Sequence, residues 1–132
     1  MTFLLDTNIC VAMLRNRQPR PLARLREVGP AAVRLSVITV LELRQGAEKS
    51  QDPRAAHHKL DFFLGPMVIL PFEVNDALTA ARVRAGLEAQ GKKIGDLDSL
   101  IAAQALARGL ILVTDNRREF DRVEGLRVEN WL

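Results

Sequence analysis

Short apolar runs of strand length alternate along this chain with longer stretches whose apolar residues recur every three to four positions, and no other feature restricts the fold as much. Thr2–Leu5 is the first run; Asp6-Thr7-Asn8 stops it, and Ile9, Met13 and Leu14 then return at helical spacing. Pro19 and Pro21 interrupt the pattern, Leu22, Leu25 and Val28 resume it, and Gly29-Pro30 closes that second helix. Val33–Val37 is the next strand candidate. A helix from about Ile38 to Lys49 follows, then a polar turn at Ser50–Pro53 and a helix through Phe62-Phe63 to the stop at Gly65-Pro66. Val68–Leu70 is a third short run. Leu78, Ala81, Val83 and Leu87 mark an amphipathic helix from Asn75 to Gln90, released by Gly91, and Gly95 precedes another helix, Asp96–Arg108. Leu110–Val113 is an apolar strand leading through Thr114–Arg118 into a short helix that carries Phe120, and Leu126–Val128 is a candidate edge strand. Strands and helices that alternate throughout predict an α/β sandwich built on a parallel sheet.

The chain is 132 residues long, the size of one compact domain, and its apolar fraction of 48% suffices for a sizeable core, so 1–132 is read as a single domain. Asp6 cuts off Phe3-Leu4-Leu5 at once, which leaves no secretory signal, and no apolar run approaches the length of a membrane span. A cytoplasmic protein without membrane contact is expected. The single cysteine, Cys10, excludes an internal disulfide and a thiolate metal cluster, and reads as a small buried hydrophobe. Nineteen basic residues against sixteen acidic ones give a net charge of +3, compatible with a polyanionic partner without demonstrating one. The basic side chains gather at Arg15, Arg17, Arg20, Arg24 and Arg26, at Lys92-Lys93 and at Arg117-Arg118. Such runs form either a solvated face or a phosphate footprint.

In an open parallel sheet the residues just beyond the carboxyl ends of the strands converge on one crevice, so acids at those positions meet although far apart in sequence. Asp6 follows the first strand, Asp115-Asn116 follows Leu110–Val113, and Asp98 opens the helix before that strand. Glu42, one residue past Leu41 and four past Ile38, borders the buried face of its helix and there needs a partner or an ion. Each of these residues also has a plain structural explanation. Asp6 or Asn8 can cap the first helix, Thr39-Val40-Leu41-Glu42 fits a capping box, Asp96 and Asp98 suit a helix N-terminus, and Asn116-Arg117-Arg118-Glu119 fits another cap. Taken together they carry more weight, because several carboxylates in one crevice repel each other unless cations neutralise them. All-oxygen ligation selects a hard cation, Mg²⁺ or Mn²⁺. Such an ion beside a basic surface suits phosphodiester hydrolysis.

Leu5-Asp6-Thr7-Asn8-Ile9, Ser36-x-x-Thr39-x-x-Glu42, Gly46-Ala47, Ile94-Gly95-x-x-Asp98-x-x-Ile101-Ala102-Ala103, Val113-Thr114-x-Asn116-x-x-Glu119-Phe120 and the closing Leu126-Arg127-Val128-Glu129-Asn130-Trp131 together resemble the VapC toxins of the PIN-domain ribonucleases, essentially end to end. The resemblance implies a three-layer α/β/α sandwich around a short parallel sheet. It places Asp6, Glu42 and Asp98 on the family's acids, with Asp6 and Asp98 as direct metal ligands and Glu42 as a ligand, direct or through water, that helps orient the attacking water. The fourth position is Asp in many PIN domains and Asn116 here, which leaves Asp115 or Glu119 to compensate. Thr7 and Thr114 would support the ligands by hydrogen bonds. Also implied are a metal-dependent endoribonuclease activity, an RNA substrate such as tRNA and specifically the anticodon loop of initiator tRNA, a homodimer, and a VapB-like antitoxin whose C-terminal segment lies along the toxin and brings an arginine near the acids.

Two readings of another class compete. A catalytically silent protein-binding module would use the acids only as caps. A receiver-type signalling domain has similar length and alternation, but Val68–Leu70 is followed by Pro71 where an aspartate is wanted, and no lysine follows Leu110–Val113. Gly86–Lys93 nearly spells a phosphate-binding loop; Lys93 stands in the hydroxyl position and the segment ends a helix, so it is read as chance. His57-His58 read as a solvated face and Trp131 as a terminal anchor on the core.

Overall fold

A computed structural model describes all 132 residues. The strands β1 (Phe3–Leu5), β2 (Val33–Ser36), β3 (Val68–Leu70), β4 (Ile111–Val113) and β5 (Val128–Glu129) form one sheet in the order β3-β2-β1-β4-β5, with every neighbouring pair parallel. β1 is central, with Leu5 opposite Leu35 on one side and Val113 on the other. Successive side chains point to opposite faces of a strand. Phe3, Leu5, Val33, Leu35, Ile111 and Val113 accordingly enter one core, whereas Leu4 and Leu112 enter a second. With both faces covered, the strands read as continuous apolar runs and not as alternating ones.

The helices α1 (Thr7–Arg15), α2 (Arg20–Val28), α3 (Val37–Glu48) and α4 (Pro53–Leu64) close the first core through residues such as Ile9, Met13, Leu43 and Leu60. On the other face α5 (Val74–Ala89), α6 (Asp96–Arg108) and α7 (Arg117–Phe120) close the second through Leu87, Ile101, Ala102 and Phe120. The expected three layers are present. No helix is long and apolar enough to cross a membrane. Cys10 is fully buried, and burial pushes its thiol far up.

Some local expectations need correction. β2 ends at Ser36, whose extended backbone and side chain, accepting from the Ile38 amide at 3.0 Å, cap α3. Helix α3 therefore starts at Val37, and Thr39–Glu42 is no capping box but lies inside the helix with its side chains available elsewhere. The last strand is Val128–Glu129, because it is the Thr114 amide bonded to the Glu129 carbonyl that carries the ladder to its end. Of the two histidines read as a solvated face, His58 is exposed and His57 is only partly so. His57 Nε2 lies 2.9 Å from Glu48 and its Nδ1 3.1 Å from Arg44, tying α4 to α3.

The longest basic run also has a structural use. Arg24 pairs with Glu27 and Glu129 and lies over the rings of Phe3 and Trp131, and Arg20 donates to the Leu132 carbonyl at 2.9 Å. Trp131 is 1% exposed, packs edge-on against Phe3 and donates to Glu129. These arginines fasten the C-terminal residues to α2.

Candidate active site

The register of the sheet sets the first contact. Leu5 and Val113 are paired, so the next residues, Asp6 and Thr114, emerge side by side at the carboxyl ends of β1 and β4. The Asp6 amide donates to the Val113 carbonyl at 2.9 Å, and the Thr114 hydroxyl donates to Asp6 Oδ2 in a short hydrogen bond. Asp6 Oδ1 accepts from the Ile9 amide at 2.9 Å. Asp6 is thus an N-cap of α1, as its position suggested, and it also faces the crevice at the point where the strand order reverses about β1.

Glu42 arrives from the second turn of α3. The Thr7 hydroxyl donates to its Oε1 at 2.6 Å and stands 3.2 Å from the Thr39 hydroxyl, which joins the first turn of α1 to α3 across the mouth of the crevice. Asp98 arrives from the first turn of α6. It caps nothing: the N-cap is Gly95, without a side-chain bond, and a Cβ added to Gly95 would stand 3.1 Å from Asp98 Oδ2. A side chain at position 95 would therefore compete with that carboxylate for space.

Asn116 does not cap α7 with its side chain either. Its amide donates to the Thr114 hydroxyl at 3.0 Å and its Nδ2 donates to Glu119 Oε2 at 2.9 Å. The sequence left Asp115 and Glu119 open as substitutes for the acid missing at Asn116. Of the two, Glu119 is the partly buried one, held by Asn116 and acting on Asp98, whereas Asp115 is exposed and acts on Asp6.

The electrostatics join these groups into one crevice. Burial pushes the Asp6 carboxyl up to about 6, against the lowering effect of its bonds from Thr114 and Ile9, and the charges of Asp115 and Asp98 push the same way. Asp98 is raised as well, first by burial and then by Glu42 and Glu119. No cation or hydrogen-bond donor offsets this, and the charged groups that act on the half-buried Asp98 are the acids Glu42 and Glu119. As the side chains stand, no three carboxylates close on one point to form a metal group. Glu42 is drawn to Thr7 and Glu119 to Asn116, so gathering them on one ion takes side-chain rotation. The donors are carboxylate, amide and hydroxyl oxygens, with no sulfur or imidazole among them. That set fits a hard divalent cation.

The walls of the crevice differ. Beside Thr7 and Glu42 a groove of about 250 Å³ runs between α1, α3 and α4, lined chiefly by Val11, Leu14, Leu43, Ala47, Ala56 and Leu60. On the side of Asp98 lie the segment before α6, where a Cβ on Gly95 would meet the Asp98 carboxylate, and α7, whose Glu119 acts on Asp98; both segments carry basic residues.

Known proteins are similar to this chain in sequence and fold. The model of the PIN domain matches residues 3–126. A tRNA(fMet)-specific endonuclease VapC of Shigella flexneri is 38% identical over 131 residues, which cover 99% of this chain and 98% of that protein. Ribonuclease VapC2 of Haemophilus influenzae is 40% identical over 132 residues, covering 100% and 99%. Among solved structures, DNA-bound VapBC from Salmonella typhimurium superposes with a TM-score of 0.95 at 34% identity, covering 100% of this chain and 99% of that one. VapBC2 from Rickettsia felis, bound to a promoter DNA fragment, gives 0.93 at 34% identity and covers both chains fully.

Proposed function

Since the chain belongs to the PIN-domain family and is an endoribonuclease toxin of the VapC type, we propose that it hydrolyses RNA phosphodiester bonds with Mg²⁺ or Mn²⁺ held by Asp6 and Asp98. The observation that carries the reading is Asp98, half-buried without a donor and opposed by Glu42 and Glu119. A cation placed there lowers the energy of that charge, which burial and its acidic neighbours raise. When bound, a divalent ion lowers the pKa of its water and neutralises charge developing on the phosphate.

The remaining work falls to the protein's own side chains. Asp6 is fixed in one rotamer by the Ile9 amide and the Thr114 hydroxyl, so it reaches the crevice without rearrangement. Glu42, restrained at Oε1 by Thr7, keeps Oε2 to accept a proton or orient a water. Asn116 positions Glu119, which supplies the negative charge that an aspartate at 116 would otherwise bring.

The regulatory partner follows from the solved relatives, which are complexes of a VapC with a VapB. A VapB-like antitoxin segment laid in the apolar groove would bury Val11 and Leu14 and bring a basic residue to Glu42 at the groove's end. The homodimer rests on the family resemblance, and the exposed Val37, Leu41, Val74 and Leu78 offer apolar surface for it. Initiator tRNA is the proposed substrate because curated relatives are tRNA(fMet)-specific endonucleases.

Purified protein freed of antitoxin, incubated with total tRNA and Mg²⁺ or Mn²⁺ beside an EDTA control and the Asp6→Asn variant, tests activity and substrate together. Cleavage that EDTA and Asp6→Asn both abolish supports the reading. Equal cleavage by the variant refutes the metal role, and initiator tRNA left intact by active enzyme removes that substrate.

A further inference from the structure

We infer that the RNA strand is held by its phosphates along one wall of the crevice only, the wall formed by Lys92, Lys93, Arg118 and Arg122. This inference rests on the nuclease reading above and adds the path of the substrate.

Lys92 and Lys93 sit in the segment between α5 and α6, which runs through Gly95, against the Asp98 carboxylate, and Asp96, paired with Arg84, to Asp98 itself. Arg117 and Arg118 follow Asn116 directly. In α7 Glu119 turns to Asn116 and Phe120 is buried in the core, which leaves Arg117 and Arg118 on the exposed side. Arg122 Nη1 donates to the Lys93 carbonyl at 2.9 Å, so the two segments form one continuous surface. Within it only Arg117 is engaged by an acid, Asp121 at 3.7 Å. The arginines elsewhere that border acids are closely paired: Arg24, Arg44, Arg84 and Arg108 each have a carboxylate oxygen within 3.1 Å.

The other wall has different chemistry. It is the apolar groove of α1, α3 and α4, which offers a phosphate little beyond Lys59. The cations of the α1–α2 turn are remote, because α1 starts just after Asp6 and carries Arg15 away over nine residues, about 13 Å of helix. A polyanion approaching acids that repel it gains compensating attraction only from the α6–α7 side.

Counterion release makes this measurable, since each phosphate contact to a single strand contributes about 0.7 to the slope of log affinity against log salt. At about 0.1 M salt that corresponds to roughly fivefold in affinity per contact. The test compares wild type, Lys92→Ala/Lys93→Ala, Arg118→Ala and the control Arg15→Ala/Arg17→Ala. Binding of a short fluorescent single-stranded RNA is followed by anisotropy in EDTA between about 50 and 200 mM KCl, and KM and kcat are measured with Mg²⁺. The double lysine variant is expected to lose about 1.4 from the salt slope and to raise KM by roughly twentyfold with kcat retained; Arg118→Ala should show about half that slope change. The control should match wild type. Unchanged KM and slope in both α6–α7 variants, or an equal loss in the control, overturns the inference while leaving the nuclease reading intact. Wild type that neither binds nor cleaves RNA overturns both.

Discussion

Replacing Asp6 by Asn should stabilise the cation-free protein although it destroys the proposed metal site. Asp6 is 3% exposed, and burial lifts its carboxyl from 3.8 to about 6. The native state therefore holds its proton up to a higher pH than the unfolded chain. Its contribution to stability is fully present below the unfolded value near 4 and is lost as pH rises through about 6. The difference of about two units corresponds to roughly 3 kcal/mol of penalty at pH 8. Asparagine removes the charge and still accepts from the Ile9 amide; the Thr114 hydroxyl must turn to accept from the new amide, which costs about 1 kcal/mol. A net gain of roughly 2 kcal/mol raises the melting temperature of a chain of this size by about 5 to 10 °C. Thermal unfolding followed by circular dichroism in EDTA, at steps from pH 4 to 8, measures this directly. Wild type should lose stability across the interval, while Asp6→Asn shows a smaller loss, that of Asp98 alone. Adding Mg²⁺ at ten times its dissociation constant should then stabilise wild type by roughly 1.4 kcal/mol and the variant not at all. An Asp6→Asn protein that melts at or below wild type in EDTA at pH 8, with a wild-type profile flat from pH 4 to 7, would refute the argument that burial penalises this carboxylate.

Further outcomes follow from the same geometry. Thr114→Val leaves Asp6 with one donor fewer in a fully buried position, so the protein should lose about 1 to 3 kcal/mol in chemical denaturation, with metal affinity down 10- to 100-fold by calorimetry. Glu119→Gln should weaken the metal by at least about tenfold in the same titration, and Asp115→Asn by much less, because only Glu119 is held against Asp98; the reverse order would reassign the fourth acid. Gly46 lines the apolar groove, and a Cβ added there meets no atom within 4 Å. Gly46→Leu should thus keep or raise the melting temperature, by up to about 1 kcal/mol of helix propensity, while shifting half-inhibition to higher antitoxin concentration. Inhibition unchanged in that variant would move the antitoxin elsewhere.

The helical and strand periods are local, and they located nearly every element to within a residue or two, with the shift of α3 to Val37 explained by a single serine cap. The acids were legible too, since Asp6 and Asn116 stand just beyond strands, Glu42 in the second turn of the helix after β2, and Asp98 in the first turn of the helix that leads to β4. Their pairings were not. Thr7 with Glu42 and Asn116 with Glu119 depend on which helix lies beside which strand end and on rotamers settled by neighbours. The five clustered arginines before Val28 were open to two readings for the same reason, because charge density along a chain carries no information about the distant Glu129 and Trp131 that Arg24 serves or the Leu132 carbonyl that Arg20 serves.

The amino-acid order by itself determined the succession of strands and helices and the set of acids available for chemistry, because both are written in spacing over a few residues. Only the tertiary structure decided that Asp6 lies against Thr114, that Glu119 and not Asp115 acts on Asp98, and that an apolar groove opens beside Thr7 and Glu42. Those facts come from strand order and register, which join residues up to 108 positions apart. No local period encodes such a pairing; it is fixed when two hydrophobic cores close on opposite faces of one sheet.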